Sequence, residues 1–154
     1  MIYGRRVSSE QGERAPEPVV RMPLRVRYHE CDPQGIVFNA NYLSYLDMAS
    51  LEFCKAAFGS YAALTAAGVD MVVAESNLRY RAASRFDEEL VVAVRVEHIG
   101  NTSFTLGFEI HRGEALVLTA SNRYVWVSTT GLEPTRPPAA IRDRLAAHLP
   151  ADGG

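Results

Sequence analysis

The sequence predicts an α+β fold in which a curved antiparallel sheet wraps one long apolar helix. Three observations predict it. Asn41 to Phe58 contains no Gly or Pro and reads as a single helix. Four strand-like runs follow, and short turns between neighbours force antiparallel pairing. The lengths also agree. A helix of about 17 residues spans roughly 26 Å, and strands of about 10 residues span roughly 33 Å.

Taken in order, residues 1–20 are rich in Arg, Glu, Ser, Gly and Pro and read as a flexible tail. A single domain is expected over 21–149, with 150–154 frayed. Leu24 to Tyr28 alternates as a half-buried strand does. In the long helix, Leu43, Leu46, Met48, Ala49, Leu51, Phe53, Ala56 and Ala57 cover most of the circumference. That pattern predicts burial on nearly all sides, with Ser44, Asp47 and Lys55 as a narrow polar stripe. Gly59 supplies a stop. A short helical piece, Tyr61 to Ala67, ends at Gly68.

The predicted strands are Met71 to Ala83, Leu90 to Ile99, Phe104 to His111 and Leu116 to Ser128. Val92, Val94 and Val96 share one face of the second. Phe104, Leu106, Phe108 and Ile110 share one face of the third. Leu116, Leu118, Ala120, Tyr124 and Trp126 share one face of the fourth. Gly100-Asn101 and Arg112-Gly113 supply tight turns. Pro137-Pro138 precedes a small amphipathic helix, Ala139 to Leu149.

With 154 residues, 47% of them hydrophobic, the chain suits one domain with a substantial core. The net charge is −2, and no basic stripe or polybasic run suggests nucleic acid or an anionic membrane. No stretch approaches the roughly 20 apolar residues of a spanning helix. Arg5 and Arg6 are not followed by an apolar run, so no secretory signal is expected. Cys31 and Cys54 are the only cysteines, which makes no disulfide framework and fits a reducing cytoplasm.

The chemistry concentrates in Cys31-Asp32-Pro33-Gln34-Gly35-Ile36-Val37-Phe38-Asn39-Ala40. Pro33 and Gly35 fix a turn that presents Asp32. Val37 and Phe38 make its surroundings apolar, and a partly desolvated carboxylate is a better base and nucleophile. The first N–H groups of the helix, near Asn39, Ala40 and Asn41, lack intrahelical partners and can hold a developing oxyanion. The same residues also allow a purely structural Asp32 that caps the turn or the helix.

Other candidates are weaker. His29, Glu30, Cys31 and Asp32 are adjacent, but four consecutive residues cannot all face one ion, so no metal is expected. Cys31 has no fixed His partner and reads as a packing residue. Asp47, and less so Glu75, are surface or interface carboxylates, with a second catalytic acid as the alternative reading. No Gly-x-Ser-x-Gly elbow and no phosphate-cradling glycine pattern occurs. Tyr124 and Trp126 read as core or interface aromatics.

The stretch from Tyr28 to Tyr42, with its Cys-Asp-Pro-x-Gly-Ile-Val run and following Asn-Tyr, resembles the signature of hotdog-fold thioesterases of the 4-hydroxybenzoyl-CoA thioesterase type. Leu46-Asp47-x-Ala49-Ser50 and the strand order are similar too, and the likeness covers roughly Pro23 to Val127. It implies a hotdog fold, a homodimer or homotetramer with active sites at the dimer interface, and hydrolysis of an acyl-CoA thioester without a cofactor. It implies that Asp32 is the catalytic acid, as nucleophile or as general base, and that the Asn39 N–H polarises the thioester carbonyl. It implies that Val37, Phe38, Asn41 and Tyr42 build the substrate wall, with Thr102 and Ser103 as further substrate contacts. Some members carry a basic run before the Ser-Phe of the third strand. Here Gly100, Asn101 and Thr102 stand there, and Arg79, Arg81 and Arg85 are the substitutes in sequence. A thioesterase for carrier-protein esters, a hydratase, and a non-catalytic acyl-binding protein are the rival readings.

Overall fold

The computed structural model describes residues 17–151. Five strands form one antiparallel sheet: β1 (Val20–Arg25), β2 (Val69–Tyr80), β3 (Glu89–Ile99), β4 (Ser103–Arg112) and β5 (Ala115–Ser128). Their spatial order is β1-β3-β4-β5-β2. The helices are α1 (Asn41–Phe58), α2 (Tyr61–Ala66) and α3 (Ala139–Ala146). Period-2 alternation delivers the expected faces. Val92, Val94, Val96, Phe104, Leu106, Phe108, Ile110, Leu118, Tyr124 and Trp126 are all buried. Tyr45, Leu46, Ala49 and Phe53 of α1 join them in one core cluster. The Phe104 ring stacks on Tyr124, with centroids 5.1 Å apart, and lies 4.9 Å from Trp126. This is the hotdog arrangement that the resemblance implies.

Several boundaries differ from expectation. β1 starts at Val20, which therefore belongs to the sheet rather than to a tail. β1 ends at Arg25, where its register with β3 stops at Glu89, and Tyr28–Glu30 turns as a single 3-10 helix instead of extending the strand. β2 ends at Tyr80 because the N–H groups of Arg81 and Ala82 both reach the Val117 carbonyl, which breaks the ladder. The expected tail over 1–16 and the end at 152–154 lie outside the described residues. The last helix stops at Ala146, short of Leu149.

The long helix also departs from expectation. Leu43, Met48 and Leu51 are 42–45% exposed. The sheet covers one side of α1 only, so an apolar circumference does not become a buried one within a single chain. Gly59 does stop the helix, at φ +89°, with its N–H on the Lys55 carbonyl at 3.0 Å.

Glu30 ties the loop after β1 to the start of α1. Its carbonyl accepts the Phe38 N–H at 2.9 Å and the Asn41 side-chain amide at 2.7 Å. Its carboxylate accepts the Arg27 N–H at 2.6 Å and the Tyr45 hydroxyl at 3.0 Å. Tyr45 is 0% exposed. Burial first, and the Glu30 hydrogen bond second, push its phenol well above the usual tyrosine range, so it stays a donor.

Phe104→Ala is expected to destabilise the chain by about 3–5 kcal/mol, read as a lower urea midpoint at unchanged slope. Glu30→Ala leaves the Tyr45 hydroxyl buried without an acceptor and is expected to cost about 1–3 kcal/mol in the same measurement. Glu30→Gln keeps an acceptor there and should recover most of that loss.

Candidate active site

The segment from Cys31 to Val37 folds back on itself as a small hairpin. Cys31 bridges Val37, the Asp32 N–H reaches the Ile36 carbonyl at 2.9 Å, and the Gly35 N–H reaches the Asp32 carbonyl at 2.9 Å. Gly35 sits at φ +76°, a conformation that favours glycine and explains its place in the motif. The returning arm docks on the chain after β2, with the Val37 N–H on the Ser84 carbonyl at 2.8 Å.

Asp32 divides its carboxylate between the two readings left open by sequence. Oδ1 accepts the Gln34 N–H at 2.8 Å and so fixes the turn. Oδ2 has no hydrogen-bond partner among the described residues. One oxygen holds the turn and the other is open.

The first turn of α1 is tight. The N–H groups of Asn41, Tyr42 and Leu43 reach the carbonyls of Phe38, Asn39 and Ala40 at 2.9, 3.4 and 3.2 Å. The Asn41 N–H, expected to be free, is therefore occupied. The N–H groups of Asn39 and Ala40 are the two without a partner among the described residues. They carry the positive end of the helix dipole.

Asp32 and Asn39 line the same cleft, of about 360 Å³. Ile36, Val37, Tyr42 and Tyr80 supply its apolar and aromatic wall, and Gln34, Arg81, Ala82 and Ala83 complete it. Tyr42 is 3% exposed, and burial raises its phenol above the usual range, so it is neutral. The rings of Tyr42 and Tyr80 meet edge to face at 5.7 Å. The cleft thus brings a residue that bears a carboxylate and a residue with a free N–H to the border of one space.

Not every expected residue is in this cleft. Phe38 is exposed and outside it, and its N–H is taken by the Glu30 carbonyl. Asn41 is also outside it, its side chain being held by the Glu30 carbonyl. Thr102 and Ser103 lie at the far end of the sheet. Ser103 pairs with Val125 of β5, whereas Tyr80 pairs with Leu118. Those β5 positions are separated by roughly 23 Å at about 3.3 Å per residue.

Among the arginines proposed from sequence, Arg81 lines the cleft and Arg79 and Arg85 do not. Asp47 is exposed and away from it, and Glu75 pairs with Arg123 at 3.5 Å. His29 is exposed, and the Glu30 carboxylate is held by Tyr45, so the four adjacent side chains from His29 to Asp32 do not converge. Cys54 is buried, and burial pushes its thiol up to about 12, which makes it inert.

Sequence reasoning missed Glu30 as an anchor, Tyr80 as part of the wall, and a pair of arginines near the Gly100 turn. Arg142 donates to the Gly100 carbonyl at 2.7 Å, and with Arg136 and Asn101 it lines a hollow of about 290 Å³. A buried mid-helix tyrosine such as Tyr45 demands an acceptor, which was a usable signal for Glu30. The arginines lie over 30 positions from that turn in sequence and gave none.

Known proteins resemble this chain in sequence and in fold. The acyl-CoA thioester hydrolase YbgC of Escherichia coli is 29% identical over 122 residues, covering 79% of this chain and 91% of that protein. The structure of protein TT1821 from Thermus thermophilus aligns with a TM-score of 0.78 at 28% identity, covering 84% of this chain and 98% of that one. A DHNA-CoA thioesterase from Staphylococcus aureus shares the fold, with a TM-score of 0.71 at 23% identity over 75% of this chain and 78% of that one. The family model of the Thioesterase superfamily matches residues 34–119, from inside the Asp32 turn into β5. That is more than half of the chain, which therefore belongs to the Thioesterase superfamily and is a thioester hydrolase.

Proposed function

We propose that the protein hydrolyses acyl-CoA thioesters to a free acid and coenzyme A. The observation that carries this reading is the shared cleft, which Asp32 and Asn39 both line, with one Asp32 carboxylate oxygen and the Asn39 N–H unpaired among the described residues. The thioester oxygen points at the Asn39 amide. Asp32 then acts in one of two ways. Attack by its carboxylate on the carbonyl carbon expels the thiolate and leaves a mixed anhydride, which water cleaves. Removal of a proton from water by Asp32 lets hydroxide attack directly, and the thiolate leaves as the tetrahedral intermediate collapses. Val37, Tyr42 and Tyr80 hold the acyl group, and neither route needs a cofactor.

The working unit is a homodimer or a pair of dimers. β2 is an edge strand of 12 residues with Val72 and Val73 exposed, the kind of edge that proteins normally cover. A second copy added antiparallel across β2 lays the Val69 end of one strand beside the Tyr80 end of the other. It brings the partner copy's Thr102 and Ser103 end toward the cleft, which a single chain cannot do. Arg136 and Arg142 at that end supply the positive charge missing from Gly100, Asn101 and Thr102, and meet the nucleotide phosphates. Two free cysteines suit a reducing cytoplasm. Among the described residues no helix is long and apolar enough to cross a membrane.

Asp32→Asn is expected to lower thiol release from a panel of acyl-CoA esters by about 10²-fold or more while substrate still binds. Full activity in that variant sinks the mechanism. Tight acyl-CoA binding without turnover by the unaltered protein favours a binding protein instead. Faster release from an acylated carrier protein than from the matching CoA ester favours the carrier reading. Light scattering is expected to give at least twice the mass of one chain, and a monomer that retains full activity overturns the shared-site arrangement.

A further inference from the structure

Tyr80 closes β2, and its hydroxyl donates to the Asn39 carbonyl at 3.1 Å. Among the described residues this is the one hydrogen bond between the sheet and residues 38–40, the segment that carries both free amides. Its effect follows from peptide geometry. The Asn39 carbonyl and the Ala40 N–H belong to one rigid plane and point in opposite directions. Asn39 Cα joins that plane to the one bearing the Asn39 N–H. Holding the carbonyl therefore limits rotation about Asn39 and keeps the Asn39 amide aimed one way. The Tyr42 N–H contacts the same oxygen at 3.4 Å, too long to hold it firmly alone.

We propose that Tyr80 is a positioning residue for thioester hydrolysis, its hydroxyl anchoring the Asn39 carbonyl so that the Asn39 amide stays aimed at the substrate oxygen. This rests on the reading of the cleft given above. The Tyr80 ring is 53% exposed along the cleft and meets Tyr42 edge to face, so the ring and the hydroxyl have separable tasks.

Tyr80→Phe keeps the ring and removes the anchor. The melting temperature should stay within a few degrees, kcat should fall about 5–30-fold, and KM should move by less than about twofold. A spectroscopic readout separates aim from fold. With benzoyl-CoA bound uncleaved to Asp32→Asn, the Asn39 amide lowers the carbonyl stretch of the thioester. Adding Tyr80→Phe should return that band toward its frequency in water. Unchanged kcat and an unmoved band, with Asp32→Asn inactive, overturn the role of Tyr80 and leave the cleft reading intact. A raised KM at constant kcat overturns it too, by showing that the hydroxyl meets substrate and not the peptide. Full hydrolysis by Asp32→Asn removes the cleft reading and this proposal together.

Discussion

The loop that carries Asp32 and the entry to α1 are tied together by one residue, Glu30. Its carbonyl binds the entry to α1 twice, and its carboxylate takes the hydroxyl of a fully buried tyrosine one turn further into the helix. A single such bond contributes only about 1 kcal/mol net. Breaking this set also strands a phenol in the core, and that desolvation penalty is what makes the loop stay. Asp32 follows Glu30 by two residues and is further pinned by its own turn, so the acid inherits the rigidity of the helix. Placement of this kind suits a reaction stabilised by preorganised dipoles.

The second constraint is that one chain leaves its architecture unfinished. An open edge strand, an α1 flank with Leu43, Met48 and Leu51 in water, and a Ser103 region far from the cleft all belong to the same molecule. Exposed apolar flanks and long edges are costly to leave open. A self-paired β2 addresses the edge and the distance together. Under the proposed function the single chain carries Asp32 and Asn39, and a second copy supplies the far wall.

Two ionisable groups buried in the chain are held neutral. The cleft phenol of Tyr42 is held neutral by burial, and the Cys54 thiol is buried and protonated. Neither is an ionised nucleophile. Paired charges such as Arg95, Glu109 and His111 are gathered on β3 and β4, where the His111 hydrogen bond and Arg95 hold the Glu109 carboxyl below its usual range. They do not line the cleft.

Local pattern determined much of this protein. The helix from Asn41 to Phe58, the four strands after it, the buried faces of β3 and β4 and the Asp32 turn all follow from period, turn chemistry and short motifs, which act over a few residues. Which N–H groups are free is set by a local turn tighter than an ideal helix start, in which the Phe38 carbonyl takes the Asn41 N–H, whereas the rest was decided by tertiary structure. It alone turned Phe38 and Asn41 away from the cleft, brought Tyr80 to Asn39 across 41 positions of sequence, and set Arg142 against Gly100. Those outcomes depend on how separate segments pack, and no spacing within one segment encodes the direction in which a side chain will find its partner.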